Sequence, residues 1–252
     1  MPQPTMLAVQ EISKSFGALG ALAGVSFSVR PREVFSVIGP NGAGKSTLFN
    51  VIAGLHTPTA GRVMFQGEEI TGLPPAVINR RRLAKTFQIT NIFPGISVLD
   101  NVRVAAQSRL AVSGHLASLW RRPAVDDRVM ELLGAFGLEH RRDELAQNLS
   151  HGEQRYLEIC LALATDPTLL LLDEPTAGMT PGETKEATAL IRRIALARSL
   201  TVLLIEHDMG VVMGISDRIA VLHFGQKIAE GPPDVIRNDP QVIDAYLGGA
   251  DD

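Results

Sequence analysis

Gly39-Pro40-Asn41-Gly42-Ala43-Gly44-Lys45-Ser46-Thr47 follows the apolar run Val34-Phe35-Ser36-Val37-Ile38 and opens a helical pattern over residues 48–53. A strand, a glycine-rich turn and a helix amino terminus, in that order, make a phosphate cradle. Gly39, Gly42 and Gly44 let the backbone take positive φ and approach an anion closely, with successive N–H groups and the helix dipole facing phosphate oxygens. Lys45 adds a point charge and Ser46 a hydroxyl suited to Mg2+. A chance glycine-rich turn is the bland alternative, and the strand, turn and helix context weighs against it. The stretch predicts binding of a nucleoside triphosphate without choosing among kinase, GTPase and ATPase.

The chain has 252 residues, of which 45% are hydrophobic, enough for a buried core in one large domain or two small ones. A formal net charge of −3 gives no general attraction to nucleic acid or to an anionic membrane surface, and no local basic patch stands out. Cys160 is the only cysteine, so no disulfide forms within the chain. On an apolar helical run it reads as core packing. The amino terminus has no basic segment followed by an apolar one, and the apolar runs fall short of the roughly 20 residues that span a bilayer. The expectation is a cytoplasmic protein that spans nothing by itself.

Residues 7–12 and 25–29 read as strands, the second burying Val25, Phe27 and Val29 by clean alternation. Residues 61–70 alternate again around a Gln66-Gly67 turn, which predicts an antiparallel β subdomain beside the phosphate loop. Arg80-Arg81-Arg82 reads as a solvated helix face, with a partner contact as the alternative, and a short strand is expected over residues 84–88. From Pro94 the signals turn helical, at 98–106, 125–136 and from Ser150 onward, and residues 108–123 around Trp120 form an irregular loop or a partner contact. Residues 169–172 form a continuous leucine run ending in Asp173-Glu174-Pro175, which suits a buried parallel strand presenting carboxylates at its carboxyl end. A helix over 181–199, the strand Thr201–Ile205, Glu206-His207-Asp208, a strand over 218–222, a Phe224-Gly225-Gln226 turn and a helix over 241–247 complete the chain. Strands alternating with helices predict a mainly parallel sheet in an α/β fold.

Five elements in order resemble one family. With the phosphate loop stand Leu149-Ser150-His151-Gly152-Glu153, similar to the Leu-Ser-Gly-Gly-Gln signature of ATP-binding cassette ATPases, the Asp173-Glu174 pair, Gln88 and His207. The resemblance covers essentially the whole chain. It implies a single phosphate-loop (RecA-like) ATPase domain, with the nucleotide core and β subdomain over 1–93 and 165–252 and a helical subdomain over about 94–164. It implies ATP and Mg2+ at Gly39, Pro40, Asn41, Gly42, Ala43, Gly44, Lys45, Ser46 and Thr47, with Mg2+ at Ser46, Gln88 and, through water, Asp173. Glu174 stands as general base. His207 contacts the γ-phosphate, although a satisfied polar residue is the other reading. Gln88 contacts Mg2+ and the attacking water and relays that state to the membrane partner. Phe16 stacks on adenine, core packing being the alternative.

The segment Ser150 to Glu153 is also an ordinary capping box. In the family this helix start faces the ATP of an opposite subunit, so the resemblance implies a site shared across a homodimer or heterodimer of cassettes. His151 and Glu153 depart from the signature, and in Thr176-Ala177-Gly178-Met179-Thr180, Thr180 stands where the family has its usual aspartate, which bears on the detailed contacts and on cross-talk between sites. Residues 149–155, 175–179 and the closing run from Ile228 to Gly248 look like cassettes of branched-chain amino acid importers, and the long helical insertion resembles the larger of that system's two ATPases. The implied partners are integral membrane permeases at the cytoplasmic face of the inner membrane and, indirectly, a periplasmic or extracellular solute-binding protein, with no nucleic acid. A urea or amide importer, a lipid or lipopolysaccharide exporter, and a non-transport cassette ATPase are the alternatives.

Overall fold

The computed structural model describes residues 5–86, 92–108 and 123–247. In chain order the elements are β1 (Leu7–Phe16), β2 (Leu19–Val29), β3 (Val34–Ile38), α1 (Lys45–Ile52), β4 (Ala60–Phe65), β5 (Glu68–Glu69), α2 (Pro75–Arg80) and β6 (Leu83–Lys85). The helices α3 (Val98–Gln107), α4 (Pro123–Ala135) and α5 (His151–Ala164) follow. Then come β7 (Leu169–Asp173), α6 (Pro181–Ala197), β8 (Thr201–Ile205), α7 (Met209–Ile215), β9 (Arg218–His223), β10 (Gln226–Gly231), α8 (Pro233–Arg237) and α9 (Pro240–Leu247).

β3, β7 and β8 are buried at every residue, which is why they are mostly apolar, with Ser36, Asp173 and Thr201 as the polar exceptions. They pair in parallel, Val34 opposite Val202 and Leu169 opposite Thr201. The sheet has the order β10-β9-β3-β8-β7-β6, with β10 antiparallel to β9. Alternate residues serve opposite faces. Leu170, Leu172, Val202 and Leu204 pack toward the helices of the segment between β6 and β7 and toward α6. Leu169, Leu171, Leu203 and Ile205 pack toward α1 and an antiparallel sheet of order β2-β1-β4-β5. The shared direction of β3, β7 and β8 brings the loops after Ile38, Asp173 and Ile205 to one edge.

Several boundaries differ from the sequence reading. β1 continues to Phe16 and β2 begins at Leu19, because ladder hydrogen bonds carry the pairing through the polar residues 13–15, with Lys14 opposite Leu22 and Phe16 opposite Leu19. The strand expected over 84–88 is described only as Leu83–Lys85, and Phe87 and Gln88 lie outside the described residues, as does the segment 109–122 with Trp120. The arginine triplet is not one solvated helix face. Arg80 ends α2, Arg81 pairs with Glu68 at 2.9 Å, and Arg82 leaves the helix at φ 75° to bind Asp166 through its backbone O (2.9 Å) and carboxylate (2.8 Å). α6 stops at Ala197, short of Ser199, which takes φ 51° in the turn to β8. Cys160 is buried in the core, and burial pushes its thiol far above the usual range, so it is no nucleophile. Among the described residues no helix is long and apolar enough to cross a membrane.

Candidate active site

The loop between β3 and α1 is shaped by two close approaches. Gly39 has φ 149°, and a Cβ there would lie 2.1 Å from the carbonyl oxygen of Leu222; at Gly44, φ 98°, it would lie 2.6 Å from that of Ala21. Only glycine fits either position. No side chain caps α1, and its first turn holds no acid. The first N–H groups of the helix are therefore left to an anion, with the dipole behind them. Lys45 is buried and donates Nζ to the carbonyls of Gly39 (2.7 Å) and Pro40 (2.9 Å). Burial lowers its pKa, and the carboxylates of Glu174 and Asp173 partly restore it. Asn41, Gly42 and Ser46 are exposed, Pro40 and Thr47 half-buried, and Ala43 is anchored through its N–H to the Pro40 carbonyl at 3.2 Å.

Asp173 ends β7 at 3% exposure. Burial raises its carboxyl above the usual pKa, and Lys85, 3.4 Å away, opposes that shift. Its Oδ1 has no hydrogen-bond partner among the described residues. An orphaned, buried carboxylate oxygen beside the Ser46 hydroxyl's loop is the donor chemistry of a hard cation such as Mg2+. Glu174, next along, sits at φ 48°, a strained conformation for a residue with a side chain, and donates its N–H to Ile205 O at 3.0 Å. His207, in the loop after β8, is 62% exposed and places Nδ1 3.8 Å from Glu174 Oε1.

Phe16 is 44% exposed at the end of β1, so the core alternative is excluded for it. Its ring meets His56 edge-on at 5.3 Å between centroids, and Lys14 Nζ stands 4.9 Å from the ring centre. The segment from Leu149 to Glu153 starts α5. Ser150 caps it, taking Glu153 N–H at 3.3 Å, while Glu153 accepts Ser150 N–H at 2.8 Å. Burial would raise the Glu153 carboxyl, yet the Ser150 bonds and Arg141, 3.2 Å away, hold it below its usual pKa. Leu149 is buried, Ser150 and His151 are exposed and Gly152 is half-buried. His151 packs against Gly178, where a Cβ would lie 2.9 Å from Nε2. Thr180 caps α6 with Glu183 in a second capping box, a task an aspartate performs as well.

The structure thus brings together the phosphate loop, Asp173, Glu174 and His207. The segment 149–153 makes no hydrogen bond or ion pair with the phosphate loop among the described residues. Glu206, which the sequence reading passed over, is buried between the loops after β7 and β8. An acid directly after a wholly buried strand was the available signal. Two grooves, about 1130 Å3 between α6 and α7 and about 700 Å3 between α7 and α9, are lined by no phosphate-loop residue.

A family model described as "ABC transporter" matches residues 22–177, and another described as "Branched-chain amino acid ATP-binding cassette transporter" matches residues 226–252. The high-affinity branched-chain amino acid transport ATP-binding protein LivG of Salmonella typhimurium is 43% identical over 257 residues, covering 99% of this chain and 100% of LivG. The solved structure of the ADP conformation of MJ1267, an ATP-binding cassette of an ABC transporter, superposes with a TM-score of 0.83 at 32% identity, covering 97% of this chain and 99% of that one. The dimeric, post-hydrolysis structure of the cassette MJ0796 bound to ADP and Pi superposes with a TM-score of 0.78 at 26% identity, covering 90% of this chain and 99% of that one.

Proposed function

Because this chain belongs to the ATP-binding cassette family of transporter ATPases, we propose that it powers import of branched-chain or related hydrophobic amino acids through separate permease subunits, docked at the cytoplasmic face of the membrane. The observation that carries the substrate class is the near full-length likeness to LivG, supported by the match of residues 226–252 to the branched-chain amino acid model. No residue of this chain touches the amino acid in this reading. The single cassette combines a nucleotide core with a helical subdomain over about 94–164.

In the mechanism, the uncapped start of α1 and Lys45 hold the β- and γ-phosphates, and Phe16 offers its open ring face to adenine. Ser46 and Asp173 would hold Mg2+, which offsets phosphate charge when bound. Glu174 accepts the proton of the attacking water as the water oxygen bonds to the γ-phosphorus and the bond to the ADP oxygen breaks. His207, beside Glu174, donates toward the γ-phosphate. Gln88 lies outside the described residues, and its role toward Mg2+, the attacking water and the permease is the one the family resemblance implies. The exposure of Asn41, Gly42 and Ser46, the exposure of Ser150 and the dimeric state of the similar MJ0796 support a site completed by the signature segment of a second cassette.

Proteoliposomes holding the chain with its permeases and a second cassette test the reading. ATP-dependent uptake of leucine with its binding protein, lost in Glu174→Gln, is the expected result. Uptake of urea or acetamide in place of leucine would overturn the substrate class while leaving the ATPase intact.

A further inference from the structure

Glu206 follows β8 and is 1% exposed, and none of the roles above uses it. Its two oxygens serve different loops. Oε1 accepts from the N–H (3.1 Å) and the hydroxyl (2.6 Å) of Thr176, in the turn after Glu174. Oε2 accepts from the N–H of His207 at 3.1 Å and stands 3.9 Å from its Nδ1. No lysine or arginine pairs with Glu206 among the described residues. A carboxylate removed from water is costly unless its oxygens are hydrogen-bonded, and here three donors converge on it.

A neutral side chain would serve simple packing at lower cost. What the acid adds is an acceptor at both ends, so one buried group fastens the turn after β7 to the turn after β8. Those turns carry Glu174 and His207. On the other side the Glu174 N–H is bonded to Ile205 O, so backbone and side chain together tie the two turns. We infer that Glu206 is a positioning residue for ATP hydrolysis, holding Glu174 and His207 in mutual register without touching the nucleotide. The inference rests on the roles proposed above for those two residues.

Glu206→Gln keeps the volume but presents an amide NH2 at one end, so either the Thr176 N–H or the His207 N–H loses its acceptor. Phosphate release by the full chain should fall about 10- to 100-fold in kcat, as when a reacting group is displaced by about 1 Å, with the KM for ATP and the Tm nearly unchanged. Thr176→Val, which removes the hydroxyl bond alone, should lower kcat in the same direction by less. In the His207→Ala background the further loss from Glu206→Gln should be smaller than in the wild-type chain, since one of its two clients is gone. Wild-type kcat in Glu206→Gln overturns the inference, as does a loss fully matched by a reduced folded fraction. Glu174→Gln measured in parallel separates the two levels. Hydrolysis surviving there removes the general-base assignment, whereas hydrolysis surviving only in Glu206→Gln removes the positioning role alone.

Discussion

The Lys85 ammonium lies 3.4 Å from Asp173 Oδ2 and donates to Asn50 Oδ1 at 2.6 Å, with both charged side chains out of water. Burial pushes the Asp173 carboxyl above its usual pKa and the Lys85 ammonium below its own, and each partner counters the shift of the other. The lysine thereby favours the ionised form of the acid at the end of β7.

Lys85→Met should therefore cost about 3 to 5 kcal/mol near neutral pH, because it leaves a buried carboxylate without that counter-charge. The pH dependence has a definite sign. A carboxyl whose folded pKa is raised contributes stability below its unfolded pKa and loses it as pH rises through the folded value. Removing Lys85 raises the folded value further. The Tm deficit of Lys85→Met against wild type should then narrow from about pH 8 to about pH 5 in circular dichroism melts. A deficit constant across that range would show that the ion pair is not its source.

The phosphate loop and the base should separate cleanly. Lys45→Ala removes the buried ammonium over the Gly39 and Pro40 carbonyls and should weaken ATP binding in a nucleotide titration. Glu174→Gln keeps the shape of the side chain and the loop; it should bind ATP normally and lower phosphate release about 10²- to 10⁴-fold. Near-normal hydrolysis by Glu174→Gln in the assembled transporter would take the residue out of the role of base.

What the sequence disclosed follows from how local each signal is. β7 and β8 were legible because strands covered on both faces must be mostly apolar, and the phosphate loop because its glycines answer steric demands within a few residues. The extension of β1 through Ser13, Lys14 and Ser15 was not, since backbone pairing with β2 and β4 leaves no side-chain pattern there. Arg82 binding Asp166 and Glu206 binding Thr176 join residues far apart in the chain, so neither partner could be read from the residues around it. The fit of His151 against Gly178 likewise depends on two loops meeting.

Phe16 offers a test of base stacking that folding does not confuse. Its ring is 44% exposed and, among the described residues, meets His56 and Lys14 as ring and charge partners, so truncation removes little core. Phe16→Ala should lose about 1 to 2 kcal/mol of ATP affinity, by analogy with other base–aromatic contacts. Phe16→Tyr should be nearly silent in the same fluorescence titration. An unchanged Kd for a folded Phe16→Ala protein would leave the adenine without this platform.

The proposed composite site makes the sharpest prediction, because in a two-fold pair of this chain Ser150 and Lys45 would serve different nucleotides. Ser150→Arg breaks the cap of α5, at a cost of about 1 kcal/mol, and fills the surface that would face the opposite ATP. Alone, that protein should bind ATP and hydrolyse little, and Lys45→Ala should bind ATP weakly and hydrolyse little. Mixed, the lysine lesion of one copy and the serine lesion of the other fall in the same site and leave the second site whole. Equal amounts pairing at random should recover roughly a quarter of the wild-type rate of phosphate release, since half the pairs are mixed and each mixed pair keeps one of two sites. Rates that merely add on mixing would mean that each copy works by itself, and the signature segment would then have to act on its own chain's phosphate loop, with which no hydrogen bond or ion pair connects it among the described residues.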